Sequence, residues 1–102
     1  MAQDYLLEVK KMLLAALEGL DADVFLYGSR ADGSASRGSD VDVGVNAGHE
    51  VDARLLQRAR NILEESAIPF KVDIVDFARV DGDFRTVAMK KVQWWKRKKA
   101  RN

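Results

Sequence analysis

Asp40-Val41-Asp42 holds the densest chemistry in this chain of 102 residues. From Asp40 to Val45, polar or small residues alternate with valine, which is strand periodicity. Val41, Val43 and Val45 then share one face and both aspartates the other. Two carboxylates at i and i+2 point the same way and repel each other once ionised. Such a pair calls for a counter-ion, and a divalent cation with oxygen ligands is the natural one. Mg²⁺ takes carboxylates together with substrate phosphates. A third carboxylate on a neighbouring strand would complete the site. Asp73 is the best candidate, because it lies opposite its neighbours Val72 and Ile74. Asp76 falls on the face opposite Asp73, near the strand end, and reads as structural or capping. Phosphoryl-type chemistry on a nucleoside triphosphate often uses two metal ions ~3.5–4 Å apart. Three aspartates, one of them bridging, suffice as protein ligands for both.

Phosphates also need a cradle. Gly28-Ser29 closes an apolar run and opens a turn or short helix. Glycine lets the backbone approach a phosphate, serine offers a hydroxyl and an N–H, and N–H groups at a helix start favour anions. Arg30 and Arg37 add positive charge in the same loop.

These residues need elements to position them. A first helix is expected from about Asp4 to Leu20, with Val9, Leu13, Leu17 and Leu20 on one face. Val24-Phe25-Leu26-Tyr27 reads as a buried strand. Gly28 to Gly38, with three glycines and three serines, is loop composition with room for one short helical turn. After the Asp40–Val45 strand, Asn46-Ala47-Gly48 marks a turn. A helix over about Val51 to Ser66 carries the apolar stripe Leu55, Leu56, Ala59, Ile62 and Leu63. Pro69 precedes a third strand, Phe70 to Phe77, rich in β-branched residues. The strand–helix–strand connection suits a parallel crossover. A last helix is expected from Asp81–Asp83 into the basic tail, with Phe84, Ala88, Val92 and Trp95 sharing a face. The expectation is one small α+β or α/β domain: a mixed sheet of about three strands with about four flanking helices. Residues 1–95 would form it and 96–102 a basic tail.

Composition narrows the class. Apolar residues are 47% and charged residues 32%, as in a globular protein. There is no apolar run near the ~20 residues of a membrane helix, and the N-terminus lacks a basic-then-apolar leader. The chain has no cysteine, which excludes disulfides and thiolate metal sites. A cytoplasmic location is the default expectation. Net charge is +1, but residues 84–102 carry eight Lys/Arg and no acid, so the body before them is acidic. The Lys96–Lys99 run has the look of a nucleic-acid patch. A helix C-terminus whose cations complement the dipole, or contact with an acidic partner, is the preferred reading. His49, beside a turn, reads as a surface residue. In the last helix Trp95 would be core and Trp94 exposed, where a tryptophan can anchor a protein interface.

The segment GSRADGSASRGSDVDVGV resembles the signature of the DNA polymerase β-like nucleotidyltransferase superfamily. Gly28-Ser29, ten residues and then Asp-x-Asp after an apolar strand is a specific pattern, whereas a lone Asp-x-Asp is a weak one. More narrowly, the chain resembles the minimal nucleotidyltransferases that pair with HEPN-domain proteins. IPFKVDIVDFARVDGDFRTVAMKKV is similar to the third-strand and final-helix region of that group. The resemblance implies Asp40 and Asp42 as paired metal ligands and Asp73 as the third carboxylate. It implies Gly28 and Ser29 as holders of the triphosphate, with Arg30 and Ser39 among the nucleotide-binding residues. Asp32 is a departure, acidic where relatives often carry a basic or neutral residue. The implied activity is Mg²⁺-dependent transfer of AMP from ATP to a hydroxyl, a tyrosine of a helical HEPN toxin, so that the chain acts as antitoxin. The short chain has no room for a separate acceptor domain, so the acceptor is expected from a partner. Three other readings stand beside it: transfer to a small molecule such as an aminoglycoside, a non-catalytic subunit that occludes its partner, and nucleic-acid binding through the tail.

Overall fold

A computed structural model describes residues 4–36 and 38–99. Helix α1 spans Tyr5–Ala16, capped by the Asp4 carboxylate, which accepts the Leu7 N–H at 3.1 Å. It ends a turn before the expected Leu20. Strand β1 (Asp23–Tyr27) leads through Gly28 into a single helical turn, α2 (Ser29–Asp32). Strand β2 is Val41–Asn46, and α3 (Ala53–Glu64) is capped by Asp52. Strand β3 (Val72–Asp76) precedes α4 (Gly82–Ala88), capped by Asp81. Strand β4 (Gln93–Lys96) closes the order. Among the described residues no helix is long and apolar enough to cross a membrane.

The four strands form one mixed sheet in the order β3-β2-β1-β4. β1 pairs antiparallel with β2 and with β4, while β2 and β3 run parallel. The parallel pair is joined through α3, the crossover the connection length predicts. Alternation sorts the side chains. Val24, Leu26, Val41, Val43, Val45 and Ile74 point to one face and are covered by Val9 and Leu13 of α1 and Leu56, Ala59 and Leu63 of α3. This is the main core. The other face carries the aromatic group Phe25, Tyr27 and Phe77, against which Ala88 and Met89 of α4 and its cap pack.

The end of the chain departs from expectation. The last helix does not run into the basic tail: it stops at Ala88, and Gln93-Trp94-Trp95-Lys96 is a strand rather than a helical stripe. Without it, β1 would present unpaired backbone groups along an open edge of the sheet, which is costly. Strand alternation also separates the tryptophans. Trp95 packs against the main core, while Trp94, 40% exposed, lies edge-on to Phe25 at 5.3 Å with the Arg97 guanidinium 3.9 Å from its ring centroid. The basic residues that follow do not fray from a helix end. Lys96 Nζ donates to the Leu20 carbonyl at 2.9 Å. The Lys98 and Lys99 N–H groups donate to Asp23 and Asp21 at 2.6 and 2.7 Å.

Candidate active site

The site is built on the face opposite α1 and α3. Register places Tyr27 of β1 beside Asp42 of β2, and Asp42 beside Asp73 of β3. The three residues form one row across three strands. Asp40 stands exposed one residue before β2, and Val41 turns into the core between the two aspartates. The row is electrostatically loaded. Burial, then the charges of Asp73 and Asp40, raise the Asp42 carboxyl above its ordinary pKa, while Lys71 acts in the opposite sense. Tyr27 is pushed up to about 12 by burial and then by Asp42 and Asp73.

Gly28 brings the backbone against this row. Its φ of 73° and ψ of −155° lie in territory that side chains rarely enter. A Cβ here would stand 2.5 Å from Asp42 Oδ2. Glycine is therefore required twice over, by the turn and by the carboxylate behind it. From Gly28 the chain turns into α2, and its carbonyl accepts the Ala31 and Asp32 N–H groups at 3.0 and 3.1 Å. Ser29 opens that turn next to the row.

The remaining sequence candidates divide. Arg30 and Ser39 meet each other: Arg30 Nη2 and Nε donate to the Ser39 carbonyl at 2.7 and 3.2 Å. The guanidinium also lies 4.8 Å from the Phe70 ring centroid. Ser39 Oγ accepts the Ser36 N–H at 2.9 Å. This pair braces the loop that delivers Asp40. Arg37 lies outside the described residues. Asp32 binds its own loop, accepting from the Ser34 N–H at 2.8 Å and Oγ at 2.6 Å, which holds its pKa below the ordinary value. Asp76 is 5% exposed and accepts the Val51 and Ala78 N–H groups at 2.8 and 3.0 Å. Arg79 pairs with it at 3.4 Å. It ties the start of α3 to the end of β3, on the face away from Asp73. His49 is exposed, near the Glu50 carbonyl.

The donor set suits a hard divalent cation. Asp40, Asp42 and Asp73 offer only carboxylate oxygens, and burial followed by their mutual repulsion already raises Asp42. Among the described residues no three acidic or histidine side chains close into a finished coordination shell. What the strands fix is the placement of Asp42 and Asp73 side by side, with Asp40 at the mouth of β2.

Some residues near the row had no signal in the sequence. Tyr27 reads only as the last member of a buried strand, yet it ends the row. Phe84, Val87, Ala88, Lys90 and Lys91 line an open groove with Tyr27, Gly28 and Asp32. The helical reading of the C-terminal segment obscured that groove by continuing α4 past it.

Known proteins resemble this chain in sequence and in fold. The probable protein adenylyltransferase MntA of Haemophilus influenzae is 33% identical over 70 residues, 69% of this chain and 61% of its own length. The chain thus spans about three-fifths of that relative. A crystal structure of a toxin–antitoxin with AMP-PNP superposes with a TM-score of 0.69 at 20% identity, covering 88% of this chain and 74% of that one. A variant of the toxin–antitoxin MntA-HpeT gives 0.69 at 20% identity, covering 96% and 76%. At such identities the superpositions establish the fold. The nucleotidyltransferase domain family matches residues 6–100, so the Tyr27–Asp42–Asp73 row and the Gly28 turn both lie inside the match, and this chain belongs to the nucleotidyltransferase domain family.

Proposed function

We propose that this chain transfers AMP from ATP to a hydroxyl on a partner protein, with Asp40, Asp42 and Asp73 holding Mg²⁺. The observation that carries the proposal is the row of Tyr27, Asp42 and Asp73 with Gly28 pressed against Asp42. It makes a phosphate-accessible backbone and a set of repelling carboxylates contiguous. Bound Mg²⁺ would neutralise the phosphates and the charge that develops on the departing pyrophosphate, two ions serving both ends of the displacement.

The chain's own groups do the rest. Gly28 and Ser29 receive the phosphates, because only glycine leaves space between the turn and Asp42. Arg30, through Ser39, holds the loop that fixes Asp40. Asp73 lies on the edge strand of the sheet and is exposed, so an acceptor reaches it from outside. The acceptor oxygen attacks the α-phosphorus, the bond from that phosphorus to the bridging oxygen breaks, and pyrophosphate leaves with the electron pair. The hydroxyl proton passes to the Asp73 carboxylate and on to solvent.

The relatives support the acceptor class proposed here. MntA bears the name of a protein adenylyltransferase, and the superposed structures are toxin–antitoxin complexes. A helical HEPN-type toxin presenting a tyrosine is the proposed acceptor, and modifying it would neutralise the toxin. The test is incubation of the purified complex with labelled ATP and Mg²⁺, followed by intact-mass measurement of both chains. The expected result is one added AMP on the partner, absent with Asp40→Asn/Asp42→Asn. Equal labelling by that variant, or none by the wild type, refutes the proposal.

A further inference from the structure

Of the three aspartates, Asp40 is the one that no strand holds. Asp42 and Asp73 take their places from the β2–β3 ladder, whereas Asp40 is exposed, one residue before β2. Hydrogen bonds to its two neighbours fix it instead. On one side the Val41 N–H donates to the Lys71 carbonyl at 2.9 Å. On the other side the Ser39 carbonyl accepts Arg30 Nη2 and Nε at 2.7 and 3.2 Å. The guanidinium that makes this second contact lies over the Phe70 ring, 4.8 Å from its centroid. Tyr5, the first residue of α1, meets the same ring edge-on at 6.2 Å. Phe70 is half-buried and packs against the main core. Both supports of Asp40 therefore converge on Phe70-Lys71, the segment that leads into β3.

We propose that Phe70 is a positioning residue for the metal site: its ring orients Arg30, Arg30 holds the Ser39 carbonyl, and Asp40 is presented to the cation as a result. The inference rests on the reading of Asp40 as a ligand of Mg²⁺. An arginine side chain loses much rotamer freedom when it settles on one carbonyl, so something must confine it. An aromatic face does so selectively, because it attracts a planar cation and leaves the N–H fork free to bond in its own plane. Two N–H groups on one oxygen is that fork in use. A leucine at position 70 would fill space beside Tyr5 and would not attract the guanidinium. The role thus belongs to the ring face and not to its bulk. The arrangement also has a purpose in the site. The segment that braces Asp40 is the one that starts β3, so Asp40 and Asp73 are located from a common support.

The test is Mn²⁺ binding in the presence of α,β-methylene ATP, a non-transferable analogue, read by water proton relaxation, which rises when the protein holds the ion. Phe70→Leu should weaken Mn²⁺ binding about fivefold, the scale of one partly exposed cation–π contact. Phe70→Trp keeps the ring face and should stay within about twofold of wild type. Arg30→Met should weaken binding at least as much as Phe70→Leu. Adding Phe70→Leu to Arg30→Met should then cost nothing more, because Phe70 acts through Arg30. In the wild type, the ring current of Phe70 should shift the Arg30 guanidinium NMR signals away from those of exposed arginines, a measurement independent of how the variants fold. A packing role alone predicts the reverse: Leu tolerated, Trp not, and losses that add. Any of these, or unshifted Arg30 signals, overturns the proposal. If the wild type binds no Mn²⁺ with the analogue, the metal-site reading falls and the positioning role with it. If Asp40→Asn weakens Mn²⁺ binding and Phe70→Leu does not, the role of Phe70 alone falls.

Discussion

Replacing Gly28 with alanine should unfold this protein at a markedly lower temperature, for two separable reasons. The backbone there, at φ 73° and ψ −155°, sits in a region held almost only by glycine. A side chain in such a conformation costs about 1–3 kcal/mol. The new Cβ would also lie 2.5 Å from Asp42 Oδ2 and 3.4 Å from Asp42 Cγ, so the carboxylate must move, at an overpacking cost of about 1–2 kcal/mol. The expected loss is about 2–4 kcal/mol, a fall in Tm on the order of 10–20 °C for a domain of this size. A double-mutant cycle separates the two terms. In an Asp42→Ala background the Oδ2 and Cγ atoms are gone, and the remaining Cβ contact at 3.5 Å is ordinary. Gly28→Ala should then cost only its backbone share, leaving a coupling of about 1–2 kcal/mol in urea melts. A Gly28→Ala protein within about 0.5 kcal/mol of wild type refutes the strain argument. Equal costs in both backgrounds refute the contact with Asp42.

Asp42→Asn should stabilise the metal-free protein at neutral pH while abolishing transfer. Because the folded pKa of Asp42 is raised, this carboxyl contributes most stability below its unfolded value, and the contribution is lost as pH rises through the folded one. The Asn variant should therefore be the more stable protein at pH 8 with chelator, and its lead should vanish at acid pH; melts against pH check the sign. Asp73→Asn and Asp76→Asn should behave oppositely. The first should lose transfer with a near-wild-type melt; the second should lose about 2–3 kcal/mol, because Asp76 is buried and accepts two backbone N–H groups and an Arg79 ion pair. Gly44→Ala should cost about 1–3 kcal/mol in a denaturant melt, since its Cβ would meet the rings of Phe25 and Phe77.

The sequence was most legible where a period and a face coincide. Alternation over Asp40–Val45 separates valines from aspartates, and the same rule applied to Phe70–Phe77 puts Asp73 with Asp42 and Asp76 on the opposite face; the register pairs Asp42 with Asp73 and Val45 with Asp76. The crossover through α3 follows from its length and apolar stripe. The Gln93–Lys96 segment was not legible in the same way. Phe84, Ala88, Val92 and Trp95 satisfy a helical spacing, and four residues are too few for strand alternation to compete. What decides the matter is non-local: the open edge of β1 needs a partner, and no pattern within the segment records that need. The groove beside Gly28 was hidden for the same reason, because it exists only where α4 stops. Arg30 shows a different limit. Its place in the Gly-Ser loop suggests a phosphate, and only the geometry shows that it also braces the loop through the Ser39 carbonyl and lies against the Phe70 ring.

Two glycines bracket Asp42, and their requirements explain how an unstable cluster of charge can be held in place. Gly44, two residues on and on the same face, admits the Phe25 and Phe77 rings, which meet edge to face at 4.8 Å. Those rings form a dry floor behind the row. Gly28 admits the backbone from the other side. Asp42 is thus confined by packing that is independent of its charge, and neither constraint relaxes when the carboxylate protonates or loses a cation. Burial first, and then the charges of Asp73 and Asp40, raise the pKa of Asp42 and create a demand for positive charge. A site held by its own electrostatics would collapse or open without its ion. One held by aromatic packing keeps its geometry, and the binding free energy of a cation is then spent on neutralisation rather than on ordering the chain.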